Sequence, residues 1–326
     1  MTSSSDEGET AVLSPGEAFA ILGNETRITI LQTLGDADGP LSFTEIRDRV
    51  GIRQGSQFNY HLDKLVGHFV RKTDDGYILR PAGERVIEAV LSGLVTDPVD
   101  VPPTPIDRTC PFCGETVLAS YAAENLVLLC PGCSGRYALS DLTGLGFSPD
   151  EYGYLGRLPL PPAGVQNRSL EATWRAAWIW ANLEFISMSA GVCPRCSGIP
   201  DYDIAVCDSH PAEGFCEDCG SRFAVIGEAT CGTCNYVVRG QFSLFLMDAL
   251  ELLVFLASND RNPVSPMDET PPKLNTVHAE YAEEVLSTEP FEARFTFTIG
   301  DDALTLTVDD DLTVVENTRH DPTESV

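Results

Sequence analysis

Apolar residues recur at helical spacing from Leu13 to Leu94, give way to short alternating blocks between cysteine pairs, and end in strict alternation near the C-terminus. Ser14, Pro15 and Glu17 form a capping box that opens a first helix reaching Leu22. Asn24 caps a second helix carrying Ile28, Ile30, Leu31 and Leu34, which Gly35 stops. Ser42 and Glu45 repeat the box and open a third through Val50. A fourth begins near Gln54 and sets Phe58, Leu62 and Leu65 on one face. "FVRKTDDGYIL" predicts two short strands around a turn at Asp74–Gly76, and Pro81 opens a fifth helix. Ser169 caps a long helix to Gly191, with Trp174, Trp178, Asn182 and Phe185 at helical spacing. Trp174, Trp178 and Trp180 suit either a ligand cage or a core helix for small modules with little core of their own. The preference of Trp for burial favours the core. "FSLFLMDALELLVFLA" predicts an apolar helix over Phe242–Ala257, and Phe291–Glu316 alternates in three runs, an antiparallel three-stranded meander.

These elements describe an α+β multidomain chain. Residues 1–11 are a polar, acidic leader expected to be disordered, and 12–94 a helical domain with a β-hairpin. The Pro-rich stretch 95–107 is a stiff extended linker. Residues 108–168 hold a first cysteine module and connector, 169–191 the aromatic helix, and 192–240 a second cysteine module. Helix and meander fill 241–318, and 319–326 are a polar tail.

The 326-residue chain carries a net charge of −28, with 3 Lys against 18 Arg. That balance ordinarily argues against a nucleic-acid partner. A carboxylate-rich, Lys-poor surface also suits a cytoplasm loaded with salt, where charges are screened within roughly 3 Å at about 1 M, and a halophilic source is the expectation. Residues 12–94, with nine Lys/Arg and eleven Asp/Glu, are the least acidic part. No signal peptide is evident, and the most apolar run is too short and acidic to span a bilayer, so a cytoplasmic, membrane-free protein is expected.

The eleven cysteines carry the chemistry. Ten form Cys-x-x-Cys pairs, a spacing that turns two sulfurs toward one metal ion. Zinc takes four ligands, so the pairs must be used in twos. Cys110, Cys113, Cys130 and Cys133, with sixteen residues between the pairs, have the spacing of a zinc ribbon around one hairpin. Cys193, Cys196, Cys216, Cys219, Cys231 and Cys234 leave two sites two ligands short; Cys207 and His210, in "CDSH", supply a knuckle of the same spacing. Twelve ligands then make three structural zinc ions. The near-equal arms Ser197–Val206 and Gly220–Thr230 alternate like strands. They favour a hairpin with one zinc at its tip (Cys207, His210, Cys216, Cys219) and one at its base (Cys193, Cys196, Cys231, Cys234). Cross-brace pairing stays open.

The order of the first six elements is that of a winged helix-turn-helix. "AFAILGNETRITILQTL" and "QFNYHLDKLVGHFVRK" resemble the first two helices and the recognition helix plus wing of ArsR-type regulators. The likeness covers about residues 12–94, and the zinc-rich half resembles haloarchaeal regulators joined to the same domain. The resemblance implies a transcriptional regulator bound as a homodimer to double-stranded DNA, the fourth helix in the major groove. With Phe58, Leu62 and Leu65 turned inward, Arg53, Gln54, Ser56, Gln57, Asn59, Tyr60 and Lys64 form its candidate DNA face, with Arg71 and Lys72 at the wing's base. His61 is assigned to helix packing. The third helix lacks the Cys-x-Cys of the metal-sensing members, so metal sensing of that kind is not implied.

Two rival readings are a basal-factor-like protein that contacts the transcription machinery, and an interaction adaptor without DNA. A thiol-based redox sensor would need electropositive neighbours that this acidic chain offers sparsely. No phosphate loop or nucleophile elbow appears, and the His278-x-Glu280 pair follows every cysteine pair where a deaminase needs it before one. The chain is expected not to be an enzyme.

Overall fold

In the computed structural model the described residues are 13–94, 99–138, 146–148, 150–262 and 281–320. The expected leader, the His278-x-Glu280 pair and residues 321–326 lie outside them. The chain divides into two units, residues 1–97 and 98–326, with a mixed α+β architecture and antiparallel sheets throughout.

The first unit contains α1 (Pro15–Leu22), α2 (Glu25–Gly35), α3 (Phe43–Val50), α4 (Gly55–Leu65), the hairpin β1 (Val70–Thr73) and β2 (Gly76–Leu79), and α5 (Pro81–Leu91). Local chemistry sets the boundaries. Ser14 and Ser42 make reciprocal capping boxes with Glu17 and Glu45, and Asn24 caps α2. Ile30, Leu31, Ile46, Phe58, Leu62 and Leu65 make the core, in which Phe43 and Phe58 meet edge to face at 4.8 Å.

The second unit opens with a four-stranded meander, β3 (Val101–Thr109), β4 (Thr116–Ala122), β5 (Asn125–Cys130) and β6 (Gly153–Pro159). Residues 101–107, expected to belong to the linker, are instead part of β3. Pro102, Pro103 and Pro105 are tolerated because β3 is the sheet's edge, where a missing N–H breaks no ladder. The aromatic helix α6 (Leu170–Ser189) packs Trp174 and Ala177 onto this sheet, so Trp174 is core. A three-stranded sheet follows, β7 (Pro200–Val206), β8 (Val225–Cys231) and β9 (Val237–Gln241).

The expected helix over Phe242–Ala257 is two pieces, a 3-10 turn Phe242–Leu246 and α7 (Leu250–Ser258). Phe242, Ser243, Phe245 and Leu246 are all buried, so the first piece is gripped all round rather than along one stripe. The terminal sheet has four strands rather than three: β10 (Tyr281–Thr288), β11 (Phe291–Ile299), β12 (Asp302–Asp309) and β13 (Val314–His320). The extra strand escapes an apolar-alternation reading because Glu283 stands between Tyr281 and Val285 on the strand's more buried side. Phe291, Phe295 and Phe297 pack this sheet on Phe242, Phe255 and Leu256. No helix among the described residues is long and apolar enough to cross a membrane.

Candidate metal centres

Twelve side chains converge in three groups of four: Cys110, Cys113, Cys130, Cys133; Cys193, Cys196, Cys231, Cys234; and Cys207, His210, Cys216, Cys219. Within each, the potential ligand atoms lie within 4.8 Å of one another. Cys110 Sγ and Cys133 Sγ are 3.8 Å apart, Cys113 and Cys130 3.4 Å, Cys193 and Cys234 3.6 Å, and Cys196 and Cys231 3.5 Å. Disulfide sulfurs sit at about 2.05 Å, so these are thiols gathered around a common point, the arrangement of a four-ligand metal site.

The backbone builds the sites. In four knuckles the first cysteine's N–H donates to the carbonyl five residues on: Cys110 to Glu115, Cys193 to Gly198, Cys216 to Ser221 and Cys231 to Tyr236, at 2.8–2.9 Å. The residue after the second cysteine donates back to the first cysteine's carbonyl. That residue takes a left-handed conformation: Gly114 (φ 82°), Ser197 (60°), Gly220 (65°) and Asn235 (57°). Gly and Asn suit that region; Ser197 is held there by the loop. Gly198 serves close approach instead, since a Cβ there would lie 2.7 Å from Thr233 Oγ1 of the facing knuckle. The knuckles at Cys130 and Cys207 are built differently, Cys207 N–H donating across the hairpin to Ala224 O at 2.9 Å.

The β7–β8 hairpin explains the nesting. Register Pro200↔Cys231 through Val206↔Val225 brings Cys193 and Cys196 beside Cys231 and Cys234 at its base, leaving Cys207–Cys219 as the tip. At the tip His210 Nδ1 is 3.4 Å from Cys219 Sγ, and Cys207 and Cys216 sulfurs are 4.0 Å apart. The thiols hold their protons unequally. A hydrogen bond from Cys130 draws Cys110 down to about 5 while pushing Cys130 itself up, and the N–H groups of Cys234 and Thr233 draw Cys231 to about 6. Several thiolates so close repel one another, which a bound dication offsets.

Groups that the motif spacing does not mark tie the centres to the fold. Arg195, inside the base knuckle, pairs with Glu184 of α6 at 2.6 Å. Trp180 Nε1 and Tyr236 Oη donate to the same carboxylate at 2.8 and 2.6 Å. The first and tip centres are also joined: Arg222 N–H donates to Arg136 O (3.0 Å), Ala138 N–H to Gly220 O (2.7 Å), and Arg222 Nε to Gly135 O (2.6 Å). A sequence signal for this exists in "CPGCSGRYA" (Cys130–Ala138) and "CEDCGSRFA" (Cys216–Ala224), which place Arg136 and Arg222 three residues after their cysteines.

In the first unit, Arg53, Gln54, Ser56, Gln57, Asn59, Tyr60 and Lys64 are all exposed, opposite buried Phe58, Leu62 and Leu65. Arg53 precedes α4 and Gln54 is its N-cap residue. Asn59 Nδ2 donates to Asp63 at 2.6 Å, and Lys64 Nζ stands 5.9 Å from the ring of Tyr60, which is 58% exposed. Arg71 and Lys72 are exposed on β1. His61 is half-buried, and burial holds its pKa below the usual imidazole value.

A Domain of unknown function (DUF7347) model matches residues 15–90, and a Domain of unknown function (DUF7351) model matches residues 107–314. Neither curated proteins nor solved structures match the chain. The second family model covers well over half of the chain and spans all three cysteine clusters, so the chain belongs to the DUF7351 family.

Proposed function

We propose that this protein is a DNA-binding transcriptional regulator, with residues 12–94 as a winged helix-turn-helix of ArsR type and three zinc ions organising the rest. The carrying observation is the division of α4 into a buried apolar face and an exposed one bearing Ser56, Gln57, Asn59, Tyr60 and Lys64, with Arg53 and Gln54 at its start. Asn and Gln suit adenine edges, Arg suits guanine, and Lys64, Arg71 and Lys72 suit phosphates. A homodimer fits α1, which buries none of its residues and leaves Phe19 74% exposed. Zinc fits the clusters because Zn–S bonds of about 2.3 Å in a tetrahedron put sulfurs about 3.8 Å apart, close to the 3.4–4.0 Å found. The C-terminal region then serves dimerisation or contacts to the transcription machinery.

Genome-wide occupancy together with mobility shifts in multimolar KCl tests the reading. Discrete operator peaks are expected, with Arg53→Ala or Asn59→Ala costing about 1–3 kcal/mol at the operator. Occupancy at promoters generally would indicate a basal factor, and absence of DNA binding would leave an interaction adaptor.

A further inference from the structure

Arg108 and Arg136 are both buried, and they differ in what they face. Arg108 pairs with Glu171 at 2.8 Å and lies 4.5 Å from the Trp174 ring centre. Arg136, 6% exposed, has no hydrogen-bond partner at Nε or Nη2. Burying an unpaired guanidinium is among the costlier acts in a fold, so its charge calls for an anion. Nearby tyrosines do not supply one, because burial raises the pKa of Tyr137 and Tyr281 and keeps both phenols neutral. Glu283 is engaged by the N–H groups of Ala224 and Val225 and by Tyr281 Oη.

What Arg136 does lie beside, together with Arg222, is Phe112 of the first knuckle. Its guanidinium lies 6.0 Å from the ring centre of Phe112, the residue between Pro111 and Cys113 of the first knuckle. Arg136 stands three residues after Cys133, another ligand of that centre. A divalent ion held by four thiolates leaves a dianion, whereas the tip, with three cysteines and one histidine, leaves a monoanion. We infer that Arg136 is the countercharge of the first centre, a positioning residue whose buried cation is balanced once that centre is loaded with a divalent ion. This rests on the metal reading of the clusters. It also gives the Arg136–Arg222 pairing a second role, because the backbone that holds Arg136 in place is the one bridged to the tip module.

The test uses the full chain loaded with Zn²⁺ alone, with native mass spectrometry for stoichiometry and competition by a coloured chelator for release. Fewer than three ions on the wild type would refute the metal reading itself, before Arg136 is in question. With three bound, Arg136→Met is expected to weaken retention at the first centre by roughly 10–100-fold, while Arg136→Lys keeps it near wild type. In a Cys110→His background, where the loaded centre carries one negative charge fewer, the loss from Arg136→Met should shrink. Unchanged release from Arg136→Met, equal losses from Met and Lys, or the same loss in the Cys110→His background would each overturn the inference. If Arg136→Met does not fold, Arg136→Gln replaces it in both backgrounds, and a loss from Gln that is absent, or equal in the two backgrounds, overturns the proposal.

Discussion

At the scale of residues, single side chains set charge and coordination. His210 is the one imidazole among twelve clustered ligands, and its Nδ1 faces Cys219 at 3.4 Å. His210→Ala should reduce the native-mass zinc count from three to two, while His210→Cys should retain three, because a closed site needs four donors of either kind. Glu283 makes a different prediction. Burial pushes its carboxyl from its ordinary 4.5 to about 7. Between those values the folded chain holds a proton that the unfolded chain has released, so stability falls as pH rises through that window. Thermal melts should show the wild type losing ground to Glu283→Gln from about pH 5 to about pH 8, by roughly 2–4 °C per kcal/mol. The variant keeps an oxygen for the Ala224 and Val225 N–H groups.

Among elements, close backbone contact matters more than side-chain chemistry. Strand β6 reaches the first centre through Gly153, where a Cβ would sit 1.9 Å from Cys133 O and 2.4 Å from Ser134 C. Gly153→Ala must push β6 away from the loop that carries Cys133. Denaturant melts should show a loss of about 1–3 kcal/mol, with chelator release from the first centre accelerated and the other two centres little changed. Where elements obey local rules they are predictable: the Ser14 and Ser42 boxes fall on the residues read from sequence. Where a sheet edge relaxes the rules, as in Pro-rich β3, composition misleads.

The whole molecule divides its sources of stability. The first unit's core is aliphatic and aromatic, and residues 12–94 contain no cysteine. In the second unit four of the ligands are core residues: Cys110 and Cys130 sit with Trp174, and Cys193 and Cys231 with Met188 and Phe245. On the proposed zinc reading, each site contributes on the order of 10 kcal/mol. Excess chelator should therefore abolish hydrogen-exchange protection around β4, β5, β7 and β8 while α2, α4 and α5 keep theirs, as peptide-resolved exchange would report.

The amino-acid sequence by itself determined the helices of the first unit, the hairpin after them, the long helix and the twelve potential ligands. Caps, turns and Cys-x-x-Cys spacing act over three or four residues and need no distant partner. The near-equal arms favoured the grouping of ligands at the base and tip of the hairpin, and the β7–β8 register, from Pro200↔Cys231 to Val206↔Val225, decided it against a cross-brace. Strand β10 carries a half-buried acid whose carboxyl oxygen accepts from the N–H groups of Ala224 and Val225, and those lie 58–59 positions away. The matching stretches around Arg136 and Arg222 mark the two arginines in the sequence, but not that Arg136 is buried or that both stand against Phe112. Short-range chemistry is written in order along the chain, whereas burial and charge balance exist only once distant segments meet.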